Sequence, residues 1–133
     1  AIMRSADGAG AHGIIIPKRR AVGITGVVAK VSAGAVEYMP VARVSNLVQA
    51  IERLKKEGLW IAAADMSDIP YYKSDLKGKI GLVIGNEGNG ISKLVKENCD
   101  FIVSLPMKGG VSSLNASSAA AVLLYEIRRQ RDL

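Results

Sequence analysis

Short continuous apolar runs alternate along this chain with stretches in which apolar residues recur at helical spacing. The runs predict strands at residues 12–16, ended by Pro17, and at 59–64, 79–84 and 101–105. A further strand is predicted at 35–41, ended near Pro40. The helical stretches are residues 2–10, 25–32, 46–57 between a Ser45 cap and a C-terminal stop at Gly58, 91–97, and a last helix opened by Ser113. Strand and helix therefore alternate throughout, which predicts an α/β fold with a mostly parallel sheet covered by helices on both faces.

Length and composition agree with one domain over residues 1–133. Hydrophobic residues make up 49% of the chain and aromatic residues only 5%, so we expect a core of Ala, Val, Ile and Leu. No apolar run reaches the ~18 residues of a membrane span, and the first residues lack the order of a secretory signal. These features predict a soluble, cytoplasmic protein without a membrane partner. Cys99 is the single cysteine, so we expect no internal disulfide and no metal site.

The net charge of +6 favours a polyanionic partner. The basic residues gather in two clusters, Lys18-Arg19-Arg20 and Arg128-Arg129-Gln130-Arg131. Each cluster could bind phosphates, or could be a solvated loop and a helix C-terminus whose charge complements the helix dipole. Both interpretations stay open at this point.

A glycine-rich segment at residues 85–90 follows the apolar run 82–84 and predicts a ligand loop at the end of a strand. Glycine permits positive φ angles and a close approach of a ligand to the main chain. The glycine spacing resembles a phosphate-binding loop, but Ile91 stands where that loop requires lysine, and Glu87 puts a carboxylate inside it. The dinucleotide fingerprint G-x-G-x-x-G does not match either. A less common ligand class is therefore indicated.

A second candidate loop follows the predicted strand at 101–105. It runs through Pro106 and Met107 to two glycines, and then to Ser113 and Asn115 at the start of a helix. In α/β sheets, ligands collect at the carboxyl ends of the strands, where these loops lie. The alternative is that Ser113 only caps the helix and that Asn115 is an ordinary residue of its first turn.

Residues 85–90, 105–107 and 113–117 together resemble the second and third motifs of the SpoU/TrmH family of RNA ribose 2′-O-methyltransferases, within the SPOUT superfamily. Residues 1–6 resemble the end of the first motif, N-x-G-A-I-x-R, with Arg4 at its arginine. Residues 12–22 are similar to the branch that methylates guanosine ribose in 23S ribosomal RNA. The resemblance spans essentially the whole chain.

The resemblance implies a C-terminal deep trefoil knot that binds S-adenosylmethionine. Its cofactor residues would be Gly85, Asn86, Glu87, Gly88, Leu105, Pro106, Met107, Leu114 and Asn115. Its functional polar residues would be Arg4, Glu87, Ser113 and Asn115, and RNA would be bound by Lys18, Arg19 and Arg20. The family's first strand and any N-terminal RNA-binding domain would lie upstream of Ala1, so we expect an N-terminally truncated domain.

The function implied is methyl transfer to a ribose 2′-hydroxyl of RNA, on a guanosine of 23S rRNA, by a homodimer whose Arg4 serves the partner's cofactor. A non-catalytic RNA-binding or ribosome-assembly module on the same scaffold is the alternative. A generic nucleotide-binding α/β domain is a third hypothesis, which the missing lysine after Gly90 disfavours.

Overall fold

The structure is a computed structural model that describes residues 2–18, 39–85, 90–110 and 115–132. Its strands are β1 (Ile14–Pro17), β2 (Val41–Val44), β3 (Trp60–Ala64), β4 (Ile80–Val83) and β5 (Phe101–Val103). Its helices are α1 (Ile2–Ala9), α2 (Leu47–Lys56), α3 (Lys93–Glu97) and α4 (Ala116–Arg131), with a 3₁₀ turn at Tyr71–Lys73. The helix predicted at 25–32 and most of the strand predicted at 35–41 lie outside the described residues.

Every strand pair in the described residues is parallel, as predicted. β1 pairs with β2, with Ile14 opposite Val41. β3 lies between β4 and β5, with Ala62 opposite Leu82 on one side and Phe101 on the other. Because the three strands run in the same direction, the loops that follow β3, β4 and β5 leave from one edge of the sheet, which we call the carboxyl edge.

The core lies on both faces of β3. Ala62 packs with Val103, Leu76 and Leu123 in a cluster whose members are at most 1% exposed, so α4 covers this face. The next side chains along β3, Ile61 and Ala63, point to the opposite face and are equally buried. α2 packs against β3. Continuous burial of both faces explains why this strand is an uninterrupted apolar run.

Two predicted helix caps are wrong by one or two residues. α2 is capped by Asn46 rather than Ser45, and the Asn46 side chain accepts a hydrogen bond from Gln49 N at 3.1 Å. α4 is capped by Asn115, so Ser113 does not open this helix. In both places an asparagine with extended backbone angles stands three residues before the amide that it binds, which is the geometry a cap requires. At the other end of α2, Gly58 has φ +92, which confirms the predicted C-terminal stop.

The proline positions also differ from the prediction. Pro17 is the last residue of β1 instead of its terminator, because the next amide, Lys18 N, continues the ladder by donating to Val44 O at 2.8 Å. Pro40 precedes β2 instead of ending it, since the strand begins at Val41. The chain path through 86–89 and 111–114 lies outside the described residues, and the trefoil knot stays a prediction. None of the helices in the described part of the chain is both long and apolar enough to span a membrane.

Candidate functional site

Three loops meet at the carboxyl edge, and two of them carry residues that the sequence predicted as cofactor ligands. Gly85 follows β4 and Leu105 follows β5, while the loop after β3 begins at Asp65. Ile84 and Leu105 both pack against the Ala62 cluster, so the two predicted loops start from one shared hydrophobic layer. The parallel sheet thus brings Gly85 and Leu105 to the same edge, as the sequence predicted.

Gly85 lies where the two ends of the glycine-rich loop meet. A Cβ atom at this position would stand 2.6 Å from Ile91 N and would also overlap the backbone carbon of Gly90. Gly90 itself has φ +65, a conformation that side chains disfavour. The loop therefore closes on its own backbone, and only glycine fits at its base. Asn86, Glu87 and Gly88 lie between these ends, outside the described residues.

The loop after β5 is anchored by Ser104, a buried residue that sequence analysis did not single out. Its Oγ accepts a hydrogen bond from Ser67 N at 3.3 Å, and its carbonyl oxygen accepts one from Tyr71 N at 2.7 Å. Ser67 and Tyr71 both belong to the segment after β3, so Ser104 fastens that segment to the loop that begins at Leu105. A serine ending an otherwise apolar strand was the available signal in the sequence.

Asp65 ties the same segment to the helix that follows the glycine-rich loop. Its carboxylate forms an ion pair with Lys96 of α3 and accepts a hydrogen bond from Met66 N at 2.7 Å. The hydrogen bond from Lys96, and to a smaller degree that from Met66 N, hold the pKa of Asp65 below its ordinary value, although partial burial acts in the opposite direction. The loop after β3 is therefore joined to both predicted cofactor loops. A carboxylate directly after a buried strand could have indicated this position.

Leu105 and Met107 are half-buried, whereas Pro106 between them is exposed. These two apolar side chains, with the main-chain groups of the loop, suit a flat, weakly polar ligand such as an adenine ring. The glycine-rich segment 85–91 contains no lysine or arginine, so it has no cationic side chain for a triphosphate. The described residues therefore fit the nucleoside part of S-adenosylmethionine better than a nucleoside triphosphate.

Asn115 stands at the N-terminus of α4. Its Oδ1 accepts hydrogen bonds from Ser118 N at 2.8 Å and from Ser117 Oγ at 3.0 Å. The side chain is exposed, and within residues 115–132 and the other described ranges its Nδ2 group makes no hydrogen bond. Asn115 therefore caps the helix with the oxygen of its amide, and its part in a cofactor site stays a prediction.

The other predicted residues are placed as follows. Arg4 is exposed on α1, and α1 packs against α4. No hydrogen bond or ion pair within the described ranges joins Arg4 to the three loops. Lys18 is exposed directly after β1. Arg19, Arg20, Ser113 and Leu114 lie outside the described residues, and within the described ones no three His, Cys, Asp or Glu side chains gather as metal ligands.

Comparison with known proteins identifies the family to which this chain is similar. The sequence model of the SpoU rRNA methylase family matches residues 1–125. Bacillus subtilis YacO, assigned to the TrmH family of tRNA/rRNA methyltransferases, is 54% identical over 132 residues, which are 98% of this chain and 53% of YacO.

Two solved structures share the fold. The SpoU methyltransferase AviRb from Streptomyces viridochromogenes, in complex with the cofactor AdoMet, has a TM-score of 0.89 and 35% identity, over 98% of this chain and 54% of AviRb. An RNA 2′-O ribose methyltransferase has a TM-score of 0.88 and 30% identity, over 99% of this chain and 51% of its own. The chain thus spans about half the length of the relatives that it matches.

Proposed function

Because this chain belongs to the SpoU rRNA methylase family, we propose that it is the catalytic domain of an S-adenosylmethionine-dependent RNA ribose 2′-O-methyltransferase. The observation that carries the proposal is the close approach of Gly85 to Gly90 and Ile91, on the same carboxyl edge as Leu105, in a fold shared with an AdoMet complex. The likeness to an RNA 2′-O ribose methyltransferase supports the 2′-hydroxyl as the acceptor. A guanosine of 23S rRNA is the target we propose, from the similarity of residues 12–22 to that branch.

S-adenosylmethionine supplies an electrophilic methyl group when bound. Main-chain groups at Gly85 and Leu105 would hold its adenosine, and Leu114 would close the pocket by apolar contact. Asn86, Glu87, Gly88, Pro106 and Met107 would shape the same site. Half-burial of Leu105 and Met107 keeps this part of the site dry, which strengthens the polar interactions made beside it.

The remaining work of the protein is to position the ribose oxygen, exclude water and help remove the hydroxyl proton. Arg4 is not proposed as the base, because an arginine guanidinium group is a hydrogen-bond donor and not a proton acceptor in proteins. Arg4 would therefore bind a phosphate or stabilise the developing alkoxide. A substrate phosphate or water would accept the proton of the 2′-hydroxyl. Glu87, Ser113 and Asn115 would orient the reacting groups.

Lys18, Arg19 and Arg20 would bind RNA phosphates beside this site, and the active form would be a cytoplasmic homodimer in which Arg4 of one protomer serves the partner's cofactor. Charge supports the RNA contact, since the net charge is +6 and Lys18 is exposed at the end of β1. Replacing the three basic residues together should weaken RNA binding and lower the slope of its salt dependence.

Calorimetric titration with S-adenosylhomocysteine, using ATP and NAD as controls, tests the cofactor site directly. We expect the chain to bind S-adenosylhomocysteine but neither ATP nor NAD. In a second assay, we expect transfer of labelled methyl groups from S-adenosylmethionine to ribosomal RNA, and digestion of that RNA should yield 2′-O-methylguanosine. A folded sample that binds RNA but no S-adenosyl compound would instead favour the non-catalytic RNA-binding module. Binding of ATP without S-adenosylhomocysteine would favour the generic nucleotide-binding domain.

A further inference from the structure

We propose that Tyr72, Lys73 and Arg129 form a second RNA-binding surface, here called the tyrosine–arginine surface, which continues the track of the substrate RNA beyond the cofactor loops. The proposal rests on RNA being the substrate, as inferred above. It concerns the basic segment 128–131, for which the sequence left a phosphate contact and a dipole-complementing helix end equally open.

Residues 128–130 of this segment make different contacts in the structure. Arg128 Nε donates to Asp132 Oδ2 at 3.0 Å, and its Nη1 lies beside Gly10 at the end of α1, so this side chain faces away from the 3₁₀ turn. Gln130 is buried and binds the backbone at Ser74 and Leu76. Arg129 therefore lies on a helix face that is fastened directly to the segment that follows the 3₁₀ turn.

Arg129 is held in a fixed orientation while much of its side chain stays exposed. Its Nε and Nη2 donate to the two carboxylate oxygens of Glu126, at 2.7 and 3.0 Å. The Glu126 side chain is 8% exposed and that of Arg129 is 56% exposed, so the carboxylate lies beneath the guanidinium group. A guanidinium group anchored in this way keeps other N–H groups for an incoming phosphate.

Aromatic side chains stand next to this cation. Tyr71 and Tyr72 shortly precede Ser74, whose carbonyl oxygen accepts a hydrogen bond at 3.0 Å from Gln130, the residue after Arg129. Tyr71 and Tyr72 pack edge to face with ring centroids 5.3 Å apart, and Tyr72 is 54% exposed. Lys73 follows with an exposed side chain. An exposed ring and two cations on one surface are the combination that binds unpaired nucleotides, by stacking on the base and attracting the phosphates.

The tyrosine–arginine surface adjoins the candidate site. Tyr71 N donates to Ser104 O at 2.7 Å, and Ser104 directly precedes Leu105 of the cofactor loop. Pro70 also forms a parallel bridge with Ser104. An RNA strand whose target ribose lies at the cofactor loops can therefore extend onto Tyr72 and Lys73.

Fluorescence anisotropy with a fluorescein-labelled RNA hairpin that has an unpaired loop tests this surface on the 133-residue chain. The double variant Tyr72→Ala/Lys73→Ala removes one exposed aromatic ring and one positive charge. Trp60→Ala/Lys56→Ala is the matched control, because it also removes one exposed aromatic ring and one exposed lysine, but at the opposite edge of the sheet. Titrations are made between about 50 and 200 mM salt, and each protein is also titrated with S-adenosylhomocysteine.

We expect the Tyr72/Lys73 variant to bind the hairpin about tenfold more weakly than the unmodified chain. The slope of log affinity against log salt concentration should also fall, by the amount that about one phosphate contact contributes, while the control matches the unmodified chain. Arg129→Gln should weaken RNA binding in the same direction. Equal affinity and salt slope in the Tyr72/Lys73 variant and the control would overturn the proposal, as would no hairpin binding by the unmodified chain. If the Tyr72/Lys73 variant binds RNA more weakly but the unmodified chain does not bind S-adenosylhomocysteine, this surface is supported and the proposed methyltransferase function is contradicted. The two proposals can therefore be tested independently.

Discussion

The side-chain oxygen of Gln130 accepts a hydrogen bond from the backbone amide of Leu76 at 2.7 Å, although 54 residues separate the two in sequence. The Nε2 group of the same side chain donates to Ser74 O at 3.0 Å and to Glu126 Oε2 at 2.8 Å. Leu76 is 1% exposed and belongs to the central cluster. One buried amide therefore joins the last helix to the segment that leads from the 3₁₀ turn into β4.

Gln130→Leu should destabilise the chain by about 2 kcal/mol, because it leaves the Leu76 amide and the Ser74 carbonyl without their partner at a buried position. The free energy of unfolding from urea titration measures this loss. Gln49→Leu on α2 makes the same chemical change at an exposed position and should stay within about 0.5 kcal/mol of the unmodified chain. Equal effects of the two substitutions would show that the Gln130 contacts do not stabilise the fold.

Glu126 should make stability depend on pH on the acid side. The hydrogen bond from Arg129, followed by that from Gln130, holds the pKa of this carboxyl group below its ordinary value of 4.5, against the opposing effect of burial. Above 4.5 the carboxylate is charged in both states and its stabilising contribution is fully present. As the pH falls below 4.5 the unfolded chain takes up the proton first, so the contribution is lost as the pH passes through the folded pKa.

Glu126→Gln should therefore lower stability near neutral pH and flatten its decline between about pH 5 and 3. Urea titrations across this range measure the slope. Glu52→Gln, which removes an exposed carboxylate from α2, should leave the decline unchanged. If Glu126→Gln follows the same curve as the unmodified chain, the ion pair with Arg129 contributes nothing to acid sensitivity.

Gly85→Ala should abolish or strongly weaken cofactor binding. The new methyl group would stand 2.6 Å from Ile91 N, a contact that only a shift of the backbone could relieve. A shift of about 1 Å in a positioning loop is enough to cost about 100-fold in function. Gly78→Ala is the control, because Gly78 lies outside both candidate loops and its added Cβ would meet only the Trp60 side chain, at an ordinary contact distance of 3.8 Å. Calorimetry with S-adenosylhomocysteine distinguishes them, and equal affinities would show that Gly85 is not part of the cofactor site.

The sequence predicted the elements around β3 well because burial left a simple pattern. Ile61, Ala62 and Ala63 are at most 1% exposed, so their run has no polar interruption and is typical of a central parallel strand. Gly58 marked the end of α2 because its positive φ requires a residue without a side chain. The placement of Gly85 and Leu105 on one edge followed from the parallel arrangement alone.

Contacts between segments far apart in sequence could not be predicted in the same way. The hydrogen bonds of Ser104 with Ser67 and Tyr71 cross more than thirty residues, and no local pattern indicates them. The sequence predicted Ser45 as the cap of α2, and only the extended backbone angles of the neighbouring Asn46 show that Asn46 has this role. The family motifs predict which loops bind the cofactor, whereas the anchoring of the loop after β3 is seen only in the structure.

Asn115→Asp separates the capping role of this residue from its role in the site. Aspartate retains an oxygen that accepts from Ser118 N, so the stability of α4 should change by less than about 1 kcal/mol. The substitution removes the Nδ2 donor and adds a negative charge beside the proposed cofactor, so methyl transfer should fall at least about tenfold. Asn46→Asp changes the cap of α2 in the same way and should leave transfer unaffected. Thermal unfolding measures the capping role, and transfer of labelled methyl groups to ribosomal RNA measures the role in the site. If Asn115→Asp leaves methyl transfer unchanged, Asn115 is a helix cap and not a site residue.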